Sequence, residues 1–275
     1  MTLSDEQLER YARHIILREV GGAGQARLRE ARVLIVGAGG LGSPALLYLS
    51  AAGVGTIGVV DNDEVSLSNL QRQIAHRTQD IGRLKVESAS DSARAINPDT
   101  HVNRHATRLG PSNALDLVKN YDVVLDGSDN FATRFLVNDA CFFVQRPLVS
   151  AAVGQFDGQL AVFKAHVRVD GERVFPCYRC LYPEAPPAGA VPSCTEAGIL
   201  GALVGVMGTL QALETLKEIL GIGDTLAGRL MLYDGLGAMF RTVRVKPDPE
   251  CALCGPKATL SDLSHHCERG ADCAL

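Results

Sequence analysis

At 275 residues with a formal charge of −4, the chain has room for a sizeable core and no charge bias that would select nucleic acid or an anionic membrane. Residues 1–17 are dense in Glu, Arg and Gln, so no secretory leader and a cytoplasmic home are expected, and the most apolar run, 199–213, falls short of the roughly 20 residues that span a bilayer. Eight cysteines in such a chain point to metal or thiol chemistry rather than a disulfide framework.

The opening, SDEQLERYARHIIL, predicts a helix: Ser4 and Gln7 have capping-box spacing, and Leu8, Tyr11, Ala12, Ile15 and Ile16 recur at helical intervals. Arg10, Arg13 and His14 fall off that stripe and read as a solvated basic face. Strand 33–36, a glycine turn over Gly37 to Gly42, a helix to about Ala52 and strand 56–61 form a βαβ unit, whose strands should be parallel. A helix over 85–96 stops before Pro98. HVNRHA, a helix near 113–119, strand 122–126, helix 131–144 and strand PLVSAAV continue the alternation, so a Rossmann-like doubly wound, mainly parallel sheet is expected.

After Val153 the pattern becomes two-residue alternation with turns, which predicts antiparallel strands. Residues 183–192 hold four prolines and predict a mobile crossover loop. A long helix over about 196–220, strands RLMLYD and MFRTVRV, and a polar tail from about Ala258 complete the chain.

Gly37, Gly39 and Gly42 fit G-x-G-x-x-G between a strand and a helix, with Asp61 twenty-four residues after Gly37. Such a turn brings helix amides to an anion, and Asp61 can accept bonds from ribose hydroxyls. An NAD-dependent dehydrogenase is the commonest owner of this pattern. The residues beyond Asp61 favour a triphosphate instead: VDNDEVSLSNLQRQ offers Asn69 and Arg72, and GRLKVESA puts Lys85 at a helix start, where a cation is out of place unless an anion is near. With Arg13 these make three cations for developing phosphate charge, the alternative being ordinary surface charges. In DGSDN, Asp126 and Asp129 follow an apolar strand and fall at the carboxyl edge of the sheet; Asp129 there would hold Mg²⁺ beside a triphosphate, while Asp129 or Asn130 could equally cap the next helix.

PCYRCL and PECALCG supply Cys177, Cys180, Cys251 and Cys254, two C-x₂-C pairs able to surround one tetrahedral, structural Zn²⁺; a redox pair is the alternative. Cys194 stands alone in VPSCTEAGIL before a helix, a setting that favours thiolate, although isolated cysteines there are often inert. Cys141 reads as core. His265, His266, Cys267 and Cys273 lie in the polar tail, which reads as flexible, with weak metal affinity as the alternative.

GAGGLG, SLSNLQRQ, GRLKVESA, DGSDN, CYRC, SCTEAG and CALCG, in this order between RYARHIIL and Gly255, resemble the MoeB/ThiF family, bacterial relatives of ubiquitin-activating enzymes. The resemblance implies an ATP-dependent adenylyltransferase acting on the C-terminal Gly-Gly carboxylate of a small ubiquitin-like sulfur carrier. It places Gly40 at the phosphate turn, Asp61 on the ribose, Asn69, Arg72 and Lys85 on phosphates, and Asp129 at Mg²⁺ or the reacting groups. It makes Arg13 a residue that reaches the ATP of the opposite subunit of a homodimer, and assigns the zinc to Cys177, Cys180, Cys251 and Cys254.

Cys194 matches the cysteine that joins the carrier during sulfur transfer in some relatives and is dispensable for adenylation in others. The implied organisation is one adenylation domain over residues 1–257, with a helical arm (1–30), a carrier-binding and zinc portion (154–257) and a tail (258–275). A separate sulfur donor, a rhodanese or a cysteine desulfurase, is expected because the chain ends soon after the zinc site. The nearest rival is an adenylating dehydratase acting on a tRNA-nucleoside carboxylate, which the mild negative charge and the zinc pairs disfavour. A non-catalytic scaffold should lack the phosphate-binding residues kept here.

Overall fold

A computed structural model describes residues 3–187 and 197–267. Three short helices, α1 (Asp5–Arg10), α2 (Ala12–Ile15) and α3 (Gly21–Glu30), precede the sheet. The capping box at Ser4 and Gln7 forms as expected. The expected single opening helix does not: it breaks at Tyr11, whose ring turns inward (2% exposed) and whose hydroxyl accepts a 2.8 Å bond from Asn97 Nδ2. That buried bond fixes the arm, while Leu8 and Ile16 of the predicted stripe stay exposed.

Strands β1 (Arg32–Val36), β2 (Thr56–Val60), β3 (His101–His105), β4 (Val123–Asp126) and β5 (Leu148–Val153) pair in parallel in the order β3-β2-β1-β4-β5. The order reverses between β1 and β4, and there a crevice opens at the strands' carboxyl ends. The sheet then turns antiparallel through β6 (Asp157–Phe163), β9 (Arg229–Asp234) and β10 (Met239–Arg244); β7 (Arg168–Val169) and β8 (Glu172–Arg173) form a separate hairpin.

Strand alternation divides the core into two layers. Val33, Ile35, Ile57 and Leu125 pack under α4 (Gly42–Ala52), α5 (Lys85–Ile96) and α9 (Gly201–Leu220). Leu34, Val36 and Val124 pack under α6 (Ala114–Val118) and α7 (Phe131–Phe143). Each fully buried Leu, Ile or Val contributes roughly 1.5–3 kcal/mol relative to exposure. The sheet is therefore covered on both faces, as a doubly wound sheet requires.

Helix α9 begins at Gly201 rather than near residue 196, because Gly198 sits at φ +76 and a left-handed residue cannot continue an α-helix. Gln211, the polar residue inside the apolar run, is 1% exposed and donates to the carbonyls of Asp126 and Val149, tying the helix to the ends of β4 and β5. Among the described residues no helix is long and apolar enough to cross a membrane. Cys194, Cys273 and the second half of the proline-rich loop, 188–192, lie outside the described residues.

Candidate functional site

The glycine turn joins β1 to α4 at the mouth of the crevice. Gly37 has φ +91, and a Cβ there would stand 3.0 Å from the Gly127 carbonyl oxygen. A Cβ on Gly42 would fall 1.9 Å from the Gly37 carbonyl, and one on Gly40 would fall 2.6 Å from Val204. Three of the four glycines are thus demanded by the protein's own packing. Gly39 has room, its nearest neighbour being Gln73 Nε2 at 3.7 Å, so a backbone without a side chain at that point serves close approach from outside. No side chain caps α4, leaving the helix start to an anion.

Asp61 directly follows β2 beside the turn. Its Oδ2 accepts from the Ala38 amide at 2.8 Å and its Oδ1 from the Asp63 amide at 2.9 Å, which fixes the carboxylate while it stays partly exposed. Beneath the turn, buried His76 reaches the Ala38 carbonyl through Nε2 at 2.9 Å and Ser88 Oγ through Nδ1 at 2.9 Å. Burial pulls the His76 pKa below its ordinary value of 6.5, so the neutral ring holds the turn through its Nε2–H. Ser88 also lies 2.9 Å from Asp80 Oδ2; burial raises that carboxyl, but bonds from Ser88, the Arg77 amide and Arg83 outweigh it and hold the group below the usual range.

The predicted phosphate ligands line the rim of the same turn. The Arg72 stem lies against Gly40, 3.6 Å from where a Cβ would be, and its Nη1 donates to the Ser68 carbonyl at 2.9 Å. Asn69 Oδ1 accepts from the Ser66 amide at 3.2 Å, closing the short 3₁₀ turn Leu67–Asn69. Lys85 begins α5 as expected, 6% exposed, and its Nζ pairs with Asp63 at 2.7 Å. A cation at a helix start is thereby already partnered, and Asp63 is a residue that sequence reasoning did not single out.

Asp126, completely buried, accepts from the Ser128 amide and hydroxyl and from the Ser150 hydroxyl, so it braces the end of β4 and is closed to a ligand. Asp129 is exposed, with Asn130 Nδ2 at 3.5 Å, while Asn130 accepts from the Thr133 amide at 2.9 Å and caps α7. The capping role anticipated for this pair therefore falls on Asn130, and the Asp129 carboxylate stays exposed.

Arg13 is not brought to this cluster. The arm is held by Gln7 to Asp99, Arg10 to the Ile96 carbonyl and Tyr11 to Asn97, all at or just past the far end of α5. Lys85 is at the opposite end, about 18 Å away for twelve residues at 1.5 Å each. Arg13 is exposed, with no hydrogen bond or ion pair among the described residues.

Cys177, Cys180, Cys251 and Cys254 converge as the spacing predicts. Their Sγ atoms stand 3.8 Å (177–180), 3.5 Å (177–251) and 3.4 Å (180–254) apart, close to the roughly 3.8 Å edge of a tetrahedron with Zn–S of about 2.3 Å. Cys177 starts the short helix α8 (Tyr178–Leu181), and the Cys254 amide donates to Cys251 Sγ at 3.5 Å, so both pairs are shaped by backbone turns. Four thiolates at this spacing could hold one metal ion with no open coordination position, the donor set of a structural zinc site.

The tail departs from expectation. Leu263 is 2% exposed in the core beside α7, and His265 and His266 bring Nε2 to within 2.8 and 2.7 Å of Asp139 Oδ2. Residues 258–267 are docked because one leucine and two imidazoles find buried partners, a combination their polar composition conceals.

The family model described as "ThiF family" matches residues 11–253. The chain is 51% identical over 263 residues to a sulfur carrier protein adenylyltransferase of Thermus thermophilus, covering 96% of each. It is 48% identical over 255 residues to the SAMP-activating enzyme E1 of Haloferax volcanii, covering 93% of this chain and 92% of that one. It is also 51% identical over 271 residues to a probable adenylyltransferase/sulfurtransferase MoeZ of Mycobacterium tuberculosis, covering 98% of this chain and 67% of that one. Among solved structures, E. coli MccB shares the fold at TM-score 0.76 and 22% identity, over 90% of this chain and 75% of that one. With the glycine turn, its polar rim and the four-cysteine cluster in one chain, and a family model matching nearly its whole length, this protein belongs to the ThiF family.

Proposed function

We propose that this chain is an ATP-dependent adenylyltransferase that activates the C-terminal Gly-Gly carboxylate of a small ubiquitin-like sulfur-carrier protein. The observation that carries the reading is the uncapped start of α4, just after the open Gly39, with Asp61, Asn69, Arg72, Lys85 and Asp129 around it, in a chain half identical to an enzyme named for this reaction. A carboxylate oxygen of the carrier attacks the α-phosphorus of ATP. The bond to the pyrophosphate oxygen breaks, giving an acyl-adenylate and pyrophosphate.

Gly37, Gly39, Gly40 and Gly42 let the backbone approach the phosphates, and Asp61 accepts from the ribose hydroxyls. Arg72 and Lys85 neutralise charge growing on the leaving pyrophosphate, and Asn69 orients it. Asp129 would hold Mg²⁺, which when bound screens phosphate charge. Lys85 enters this role by sharing Asp63, the anion that holds it meanwhile.

Arg13 of the partner subunit in a homodimer completes the cation set, a reading supported by its exposure and lack of partner, and by Ile16 and Leu17 at 71% and 50% exposure beside it. The carrier docks on the antiparallel edge, where Leu236, Met239 and Phe240 are 73%, 60% and 52% exposed and Phe240 stacks on Tyr233. Cys194 belongs to later sulfur transfer from a separate donor.

The test is carrier-dependent ATP–pyrophosphate exchange with zinc-replete protein, Mg²⁺ and a panel of Gly-Gly-ending carriers. Exchange with one of them is expected. Absence of exchange with all of them would redirect the reading to another carboxylate substrate.

A further inference from the structure

Beside the zinc centre, on the far side of Arg179, a second cluster of metal-ligating groups forms from segments distant in sequence. Asp139 lies on α7 and is completely buried; His265 and His266 come from the docked tail, their side chains 25% and 11% exposed. The three donor atoms, Asp139 Oδ2, His265 Nε2 and His266 Nε2, lie within 4.8 Å of one another.

Hydrogen bonding leaves this arrangement crowded, with more donors than one carboxylate oxygen has lone pairs. Asp139 Oδ2 has four nitrogens close by: Arg179 Nη2 at 2.7 Å and Nε at 3.1 Å, His265 Nε2 at 2.8 Å and His266 Nε2 at 2.7 Å. A carboxylate oxygen offers about two lone-pair directions. The conflict sharpens at His265, whose Nε2 is also 3.2 Å from Arg179 Nη2. If that nitrogen is protonated it donates to Asp139 Oδ2 with the guanidinium crowded against it; if it is not, it accepts from Arg179 while its lone pair also faces a carboxylate oxygen at 2.8 Å.

We propose that Asp139, His265 and His266 form a second divalent-metal site, distinct from the four-cysteine zinc centre, that fastens the tail to α7. An ion between Oδ2 and the two Nε2 atoms resolves the conflict: both imidazoles present lone pairs to it and keep their protons on Nδ1. Donor separations of 2.7–2.8 Å subtend roughly 80–84° at an ion about 2.1 Å from each, nearer an octahedral than a tetrahedral angle, with water completing the shell. Asp139 Oδ1 is held by Asn138 Nδ2 and Arg179 Nε, each at 2.9 Å, which supplies the outer support that a ligating carboxylate requires. Arg179 keeps that bond and its place 4.7 Å over the Phe135 ring when Oδ2 turns to the ion. The ligand set of two imidazoles and a carboxylate selects Zn²⁺ or Ni²⁺ over Mg²⁺ or Ca²⁺.

The experiment is equilibrium dialysis of untagged, full-length, zinc-replete protein against Zn²⁺ and, separately, Ni²⁺, with metal counted per chain. One ion beyond the four-cysteine zinc is expected, with at least a tenfold loss of affinity for His266→Ala and no second ion for the His265→Ala/His266→Ala double variant. The absorption of the Ni²⁺-loaded wild type gives an independent readout: weak ligand-field bands without thiolate charge transfer are expected, whatever the variants' folding. No second ion in the wild type, an equal second ion in a folded double variant, or thiolate charge transfer from the added Ni²⁺ would each overturn the site.

Discussion

The two halves of the sheet achieve order by different means. The parallel half buries two large apolar layers, one on each face, and its polar side chains at the crevice are mostly braced by one another. The region around Cys177 and Cys251 has a small cluster of Ala165, Leu253 and three cysteines, with Cys180, Leu260 and two phenylalanines at its edge. A cluster of that size buries too little apolar surface to order two separate segments, so a metal on the four thiols would supply what the core does not. Residues near the glycine turn are thus expected to matter for chemistry with little effect on stability, and the cysteines the reverse.

The largest expected effect comes from Cys254→Ser. Loss of a thiolate from the buried centre should abolish stoichiometric zinc and cost several kcal/mol, with a fall in Tm on the order of 10 °C, read by metal analysis and calorimetry. Next, Arg72→Ala and Asp129→Ala should lower carrier-dependent pyrophosphate exchange by about 10²–10³-fold while Tm stays within a degree or two of wild type. An equal loss of Tm in these variants would erase the contrast between the halves.

His76→Ala probes the seam between stability and chemistry. It removes the hydrogen bond to Ala38 and should cost about 1–3 kcal/mol in denaturant unfolding, together with weaker nucleotide binding. Its pKa is lowered in the folded protein, so between the folded value and 6.5 the unfolded chain binds more protons. The stabilisation is therefore full above pH 6.5 and is lost as pH falls towards the folded value, a slope that His76→Asn should flatten. Smallest of all, Cys194→Ala should leave exchange unchanged and alter only later sulfur transfer, so loss of carrier adenylation in that variant would contradict the division of labour proposed here.

Much of this molecule was legible in its sequence because the signals were periodic or chemically specific. The βαβ alternation located the strands to within a residue or two, and C-x₂-C twice predicted four thiols that do converge. Side chains acting from below the site were not legible. His76 sits in QRQIAHR with nothing periodic about it, and Asp63, the partner of Lys85, is one of several acids in a polar loop. The tail misled because its two histidines draw their order from Asp139, more than 120 residues away. Arg13 was visible as a cation but not as a distant one, since separation along a helix axis appears only when the arm is seen to dock at the far end of α5.

The meeting of Gly37 with Gly127 has an evolutionary consequence. The floor of the crevice is backbone against backbone, with 3.0 Å from a hypothetical Cβ to the opposing oxygen, so no side chain exists there for mutation to enlarge, shrink or recharge. A side chain at Gly37 is opposed both by its φ of +91 and by the Gly127 oxygen, so the walls, at Asn69, Arg72, Asp129 and the exposed antiparallel edge, are where substitution meets the least resistance.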